Sequence, residues 1–351
     1  MENVQDLQKE IAIFNASMLD LLKKQIDILS KYINLCKENK IQYNERAFIS
    51  LVIKEVFLKQ TKGLPNDILY EYFFDTYKIV SKYMGISDKK ELLVSKKEGK
   101  YRTMNEIFNV SCEIPAIIAG PCSVENMEYM EEVAKILKKF NLKYIRGGAY
   151  KPRTSPYDFQ GLKKRGLQIL KEICERYDLI SVSEIVDTRD IELFSEYIDV
   201  LQIGSRNMQN YELLKEVGKT NLPVLLKNGM NSTIQEFIYA AEYIAIQGNE
   251  NIILCERGIR TNEIKTRNTL DVSAIPILKK ETILPVIADL SHSLGRKDIL
   301  NAMAKAVLAA GADGIMVEVH PYPELALSDS NQQLNINEFV SLLNVLGYES
   351  E

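Results

Sequence analysis

The sequence predicts two parts: a small all-α N-terminal domain and an α/β domain of the (β/α)8 TIM-barrel class. Three observations carry this. Over residues 1 to about 85, apolar positions recur at alternating steps of three and four, the helical period. From about Asn105 onward, short β-branched apolar runs alternate with amphipathic stretches. There are eight such runs in roughly 246 residues, the number and size of a barrel. A doubly wound open sheet is the competing architecture, but no GxGxxG follows the first run.

The first helix is marked by Leu7, Ile11, Phe14, Met18, Leu21, Ile28, Tyr32 and Leu35, with Gln25 interrupting the stripe. A second helix is expected from about Glu45 to Gln60, with Phe48, Leu51, Val52 and Val56 on one face, and it breaks at Gly63 and Pro65. Asn66 or Asp67 can cap a third, which carries Leu69, Phe73, Tyr77, Val80 and Met84 and ends at Gly85. Such stripes cannot be well buried within three helices, so association with another chain or with the second domain is expected. Residues 1–88 are read as this helical domain. Residues 89–105 hold Lys89, Lys90, Lys96, Lys97 and Lys100 and are read as a solvated linker rather than an anion-binding tail. Residues 106–351 are the barrel.

The eight expected strands are Ala116–Ala119, Tyr144–Gly148, Leu179–Val186, Val200–Gly204, Val224–Lys227, Ile252–Cys255, Val286–Asp289 and Gly314–Val319. Met127–Phe140, Ile234–Gln247 and Arg296–Ala310 are helices between them.

Composition narrows the function. With 46% apolar and 26% charged residues the chain is an ordinary globular protein. A net charge of −4 argues against nucleic acid as the main partner. No run approaches the roughly 18 apolar residues of a membrane span, and no signal peptide is visible. The five cysteines show no CxxC spacing, so a disulfide framework is not expected and a cytoplasmic location is. Only His292 and His320 can serve a site that needs imidazole.

Residues with chemistry cluster at the C-terminal ends of the runs, where barrel active sites are built. Cys122, His292, Glu318 and Asp329 offer a thiolate, an imidazole and two carboxylates. That mixture suits a divalent Mn, Fe, Co or Zn ion better than Ca or Mg. The alternative for Cys122 is a buried small hydrophobe. Arg146, Lys151, Arg153, Arg206, Lys227 and Arg257 place six cations at the same mouth. Converging cations repel unless anions compensate them, and arginine forks suit phosphate and carboxylate. Two phosphorylated substrates, or one that is also a carboxylate, are implied.

Four motifs then resemble the 3-deoxy-D-arabino-heptulosonate 7-phosphate (DAHP) synthases. They are Gly120-Pro121-Cys122-Ser123, the stretch Arg146 to Gly161 around Lys151-Pro152-Arg153-Thr154-Ser155, Ile203 through Asn210, and Glu318-Val319-His320-Pro321. The Lys-Pro-Arg-Thr-Ser form differs from the motif of the sister family that makes 3-deoxy-manno-octulosonate 8-phosphate. The resemblance implies a metal-dependent transferase that condenses phosphoenolpyruvate with erythrose 4-phosphate, the entry to the shikimate pathway and so to chorismate and aromatic amino acid biosynthesis. It assigns Cys122, His292, Glu318 and Asp329 as metal ligands. It assigns Arg146, Lys151, Arg206, Lys227 and Arg257 to phosphoenolpyruvate, and Arg153, Thr154 and Ser155 to the erythrose 4-phosphate region. Lys151 is the expected proton donor, and Glu184 or a water held by the metal is expected to assist water attack. Leu290 stands where relatives have Pro.

The N-terminal segment resembles the all-helical chorismate mutase domain fused to some relatives. Its cations are missing. The first-helix arginine positions fall on Gln8 and Gln25, the lysine on Cys36 and the second-helix arginine near Asn44; Glu45 is kept, and the last-helix glutamine falls near Met84. A degenerate, regulatory or oligomerising domain is therefore expected, with prephenate or chorismate as the effector and a homo-oligomer, dimer or tetramer, as the assembly. Two further readings compete: a bifunctional synthase/mutase, and a non-catalytic partner of a separate mutase or synthase.

Overall fold

The computed structural model of the protein describes residues 3–39, 51, 54–55, 66–83, 92–97, 99–108, 115–153 and 155–350. The chain divides into two compact units, Met1–Glu91 and Leu92–Glu351.

In the first unit, one helix runs from Val4 to Glu38 and another from Asn66 to Tyr83. Of the expected middle helix, residues 51, 54 and 55 are helical and the rest lie outside the described residues, as do Asn44, Glu45 and Met84. Leu29, Ile33 and Cys36 are buried, and Leu22, Ile26 and Tyr77 pack with them. This face is offset by one residue, about 100° around a helix, from the stripe read in the sequence. Along that stripe Ile11, Phe14, Leu21, Ile28 and Leu35 stay exposed, Phe14 at 65%. The first helix thus carries two apolar faces, and the unit buries the one that the sequence reading passed over.

In the second unit eight parallel strands close into a barrel in sequence order. They are β1 (Ala116–Gly120), β2 (Tyr144–Arg146), β3 (Ile180–Ile185), β4 (Val200–Ile203), β5 (Val224–Lys227), β6 (Ile252–Glu256), β7 (Val286–Asp289) and β8 (Gly314–Glu318). Parallel strands buried on both faces need near-continuous apolar runs, which these are. Alternate residues face inward. Ile118, Tyr144, Val182, Val200, Leu225, Ile253, Ile287 and Met316 share the barrel interior, whereas Ile117, Ile145, Leu201 and Leu226 join the layer under the helices. Met127–Lys139 and Ile234–Ala245 are helices as expected, the second opened by a Thr233/Glu236 capping box. The last of the expected helices begins at Leu300 rather than Arg296.

The expected solvated linker needs correction from Leu92 on. Val94 is buried at 1% exposure, and the N–H groups of Leu93 and Val94 donate to Glu242. Ser95 pairs with Thr282, and Arg102 N–H donates to the carbonyl of Ile283. The Tyr101 hydroxyl donates to Asp313 at 2.6 Å and accepts from Lys279 at 2.7 Å. A short helix, Met104–Phe108, then sends Met104 and Ile107 into the barrel interior beside Tyr144. The lysines solvate one side of this segment while Val94, Tyr101 and Met104 anchor the other. Among the described residues no helix is long and apolar enough to cross a membrane, and Cys36, Cys122, Cys174 and Cys255 are free and buried.

Candidate active site

Strand parity builds the site. Each inward apolar residue is followed two positions later by a group that faces the barrel mouth. Tyr144 leads to Arg146, Val182 to Glu184, Val200 to Gln202, Leu225 to Lys227, Cys255 to Arg257, Ile287 to Asp289 and Met316 to Glu318. On β1, Ile118 leads to Gly120 and then Cys122. Gly120 has to be glycine, because a Cβ there would stand 2.1 Å from the Arg146 carbonyl oxygen.

Four side chains offer donor atoms within 4.8 Å of one another: Cys122, His292, Glu318 and Asp329. The His292 Nε2 lies 3.4 Å from Glu318 Oε1 and 3.7 Å from Asp329 Oδ2, and Cys122 Sγ is 3.5 Å from that same Asp329 oxygen. Donors about 2.0–2.3 Å from one tetrahedral ion lie about 3.3–3.8 Å apart, so these three separations already match and the widest pair has to close by up to about 1 Å for one ion to be shared by all four. The donor chemistry fits a divalent transition ion. The imidazole is already oriented for it, since Nδ1 is tied to Asp289 at 2.8 Å and Nε2 faces the carboxylates. Burial, then the Glu318 charge, push the Cys122 thiol up to about 11. Glu318 is fully buried. Burial opposes its charge, but His292 and Arg146 outweigh burial and hold the carboxyl below its ordinary range.

The six predicted cations line one cavity of about 460 Å³, together with Glu184, Gln202, His292 and Asp329. Arg146 Nη1 donates to Glu318 Oε1 at 2.7 Å and to the Pro121 carbonyl at 3.0 Å, while its buried Nε has no partner among the described residues. Arg257 donates Nη2 to the His292 carbonyl at 3.2 Å, and its buried Nη1 is likewise unpartnered. Buried, unpaired guanidinium N–H groups are costly unless a ligand takes them. Lys151 Nζ stands 3.0 Å from both the Cys122 Sγ and its carbonyl oxygen. Burial pulls this ammonium down, but Cys122 beside it, with Glu184 and Glu318, outweighs burial and holds it above the ordinary lysine range. Arg153 pairs with Asp158 at 3.5 Å, and Arg206 donates to the Pro152 carbonyl at 3.3 Å. Glu184 packs against Gly204, where a Cβ would sit 1.9 Å from its Oε1.

Of the residues expected from sequence, Thr154 lies outside the described residues, and Ser155 is not among those lining the cavity. His320 is buried and apart from the four donors: its Nδ1 accepts from Tyr322 N–H at 3.0 Å, and its Nε2 is 3.6 Å from Glu125. Leu290, despite replacing Pro, starts a helical turn that Asp289 caps through His292 N–H.

Several groups escaped the sequence reading. Arg260 and Arg267 also line the cavity. Gln332 donates to Glu318 Oε2 at 2.5 Å and to Asp329 Oδ2 at 3.4 Å, and its oxygen accepts from Arg267 at 2.7 Å. Gln333 accepts the Cys122 N–H at 2.9 Å. Asp289, which the sequence does place at a strand end of the mouth, is fully buried and faces both Lys227 and His292. Glutamines carry no motif, but parity on β7 does mark Asp289.

Comparison with known proteins agrees with this geometry. The family described as DAHP synthetase I matches residues 102–350. The chain is 54% identical over 227 residues to the phospho-2-dehydro-3-deoxyheptonate aldolase of Thermotoga maritima, covering 65% of this chain and 67% of that protein. It is 30% identical over 249 residues to the 2-dehydro-3-deoxyphosphooctonate aldolase of Pelobacter propionicus, covering 66% and 90%. The crystal structure of the DAHP synthase from Thermotoga maritima is similar with a TM-score of 0.69 at 44% identity, covering 77% of this chain and 84% of that one.

Proposed function

The chain belongs to the DAHP synthetase I family, and we infer from this that it is a 3-deoxy-7-phosphoheptulonate synthase, condensing phosphoenolpyruvate with erythrose 4-phosphate at the head of the shikimate pathway. Identity of 54% to a heptulosonate enzyme against 30% to an octulosonate one favours the four-carbon acceptor, as does Lys151-Pro152-Arg153-Thr154-Ser155. The observation that carries the reading is the meeting, at one cavity, of His292 and Asp329 from the four-donor cluster with Arg146 and Arg257, each of which has a buried guanidinium N–H group without a partner among the described residues.

Arg146, Lys151, Arg206, Lys227 and Arg257 hold phosphoenolpyruvate, with Arg146 Nε and Arg257 Nη1 finding their acceptors on its anionic groups. Arg153, with Thr154 and Ser155, receives the phosphate of erythrose 4-phosphate. Cys122, His292, Glu318 and Asp329 would hold a divalent Mn, Fe, Co or Zn ion, whose Lewis acidity would polarise the aldehyde oxygen. The methylene carbon of phosphoenolpyruvate forms the new C–C bond to that aldehyde carbon. Lys151 delivers a proton from Nζ to the resulting alkoxide. Water adds at the second carbon of the enol unit, with Glu184 oriented to take its proton, and the C–O bond to phosphate breaks. Arg146 joins the two halves of the site, since one of its N–H groups steadies Glu318 while another faces substrate.

The N-terminal unit is a regulatory or oligomerising domain related to the chorismate mutases. The cations such a mutase needs are replaced by Gln8, Gln25 and the buried Cys36. The exposed face of Ile11, Phe14 and Leu21 supports a homo-oligomer. Prephenate and chorismate are the effectors to test.

The test is formation of DAHP and phosphate by the full chain, loaded with Mn²⁺ or stripped by chelator. Turnover that returns with metal supports the reading. No product with any of the four metals overturns it.

A further inference from the structure

We propose that Asp289 makes the binding of phosphoenolpyruvate and of the divalent ion mutually dependent, acting as a positioning residue between Lys227 and His292. The proposal rests on the assignment of Lys227 to substrate and His292 to metal.

One carboxylate oxygen serves both sides. Asp289 Oδ2 accepts from Lys227 Nζ and lies 2.8 Å from His292 Nδ1, while Oδ1 accepts the His292 N–H at 3.0 Å. Among the described residues, Lys227 Nζ has no other hydrogen-bond acceptor. Asp289 is fully buried, so no water can share its charge. In such a low-dielectric setting, what one partner takes from the carboxylate the other loses.

An anionic substrate group at Lys227 changes that division. The ammonium turns some of its donors to the ligand, and the carboxylate falls more fully to the His292 Nδ1–H. A carboxylate on one imidazole nitrogen makes the other a stronger metal donor. In reverse, a cation at Nε2 makes Nδ1–H a stronger donor to Asp289, which frees Lys227 for substrate. By linkage the two effects are equal in free energy. A merely structural Asp289 predicts something else: its loss would weaken each ligand separately and leave their mutual dependence unchanged.

The experiment uses metal-free full-length protein titrated with Mn²⁺ by calorimetry, with and without saturating phosphoenolpyruvate and with no aldehyde present. Wild type is expected to bind Mn²⁺ about tenfold tighter with phosphoenolpyruvate, within the roughly 5–150-fold range of such couplings. In Asp289→Asn the ratio should drop to within about twofold of unity, the Asn oxygen still accepting from Nδ1 but without charge. Lys227→Met, which frees Asp289 for His292, should bind Mn²⁺ more tightly than wild type in the absence of phosphoenolpyruvate, a gain that a damaged fold cannot produce. A Co²⁺ titration read through the Cys122 thiolate charge-transfer band should repeat the pattern. Coupling absent in wild type, coupling intact in Asp289→Asn, or weaker Mn²⁺ binding by Lys227→Met overturns the proposal alone. A wild-type chain that binds neither Mn²⁺ nor phosphoenolpyruvate overturns the functional reading with it.

Discussion

The Gln332 amide nitrogen donates to Glu318 Oε2 at 2.5 Å, so a neutral side chain from the last barrel loop fixes the carboxylate that ends β8. The same nitrogen reaches Asp329 at 3.4 Å. One amide therefore braces two of the four donors. Gln332→Met, close in size but without the donor, should lower Mn²⁺ affinity by about 10- to 100-fold, the usual cost of losing such a supporting bond. Calorimetry checks the affinity, and kcat at saturating Mn²⁺ should recover most of the lost activity.

Lys151 separates chemistry from metal binding. Its ammonium lies 3.0 Å from Cys122 Sγ and repels an incoming cation. Lys151→Met should lower kcat by about 10²- to 10⁴-fold, the range for one positioned proton donor. Metal affinity should hold or improve. Full turnover with both substrates would end its assignment as donor.

Metal uptake should depend on pH through Cys122. Its thiol, pushed up to about 11, is protonated in the metal-free protein at neutral pH. A metal ligand must be the thiolate, so binding releases that proton. Apparent affinity should rise about tenfold per pH unit as pH climbs toward the thiol pKa. Calorimetry in buffers of different ionisation enthalpy counts the proton. Cys122→Ser should remove most of the slope.

Glu184 can be displaced without touching it. A Cβ at Gly204 would stand 1.9 Å from Glu184 Oε1 and 2.7 Å from its carboxyl carbon. Gly204→Ala should therefore push the carboxylate out of position and cut kcat at least tenfold. Because the clash falls on a side-chain end, melting temperature should drop by only a few degrees.

The exposed stripe of the first helix makes a prediction about assembly. Paired Ile11→Glu and Phe14→Glu place two charges on a face that the unit leaves uncovered, since both side chains are more than half exposed. Light scattering should show a smaller particle than wild type. An unchanged mass would remove this face from the interface.

The barrel was legible because its signals are local. Every strand found in the structure overlaps one of the eight apolar runs, and the helices between them follow from amphipathic spacing. The four donors and six cations were legible for a different reason: they follow the C-terminal ends of the apolar runs, where a barrel builds its site, and for Arg146, Lys227, Arg257 and Glu318 strand parity also turns the side chain into the mouth. Gln332 and Gln333 were not legible, since glutamines in a polar loop signal nothing until the chain folds back under Cys122 and Glu318. The first helix misled because it holds two apolar faces one residue apart, and periodicity alone does not say which one is covered at home. The lysines of residues 89–105 masked Val94, Tyr101 and Met104, whose anchoring partners Glu242, Asp313 and Tyr144 lie far along the chain.

That anchoring decides where the barrel can be cut. A version trimmed to the composition boundary near Asn105 would lose Met104 from the barrel floor, a deletion of the kind that costs about 2–5 kcal/mol, and would strip Asp313 of the Tyr101 hydroxyl at the foot of β8. A piece that starts at Leu92, where the second compact unit begins, keeps both of these contacts. Segments exchanged in front of it by recombination are neutral to the barrel only if the joint falls before that residue.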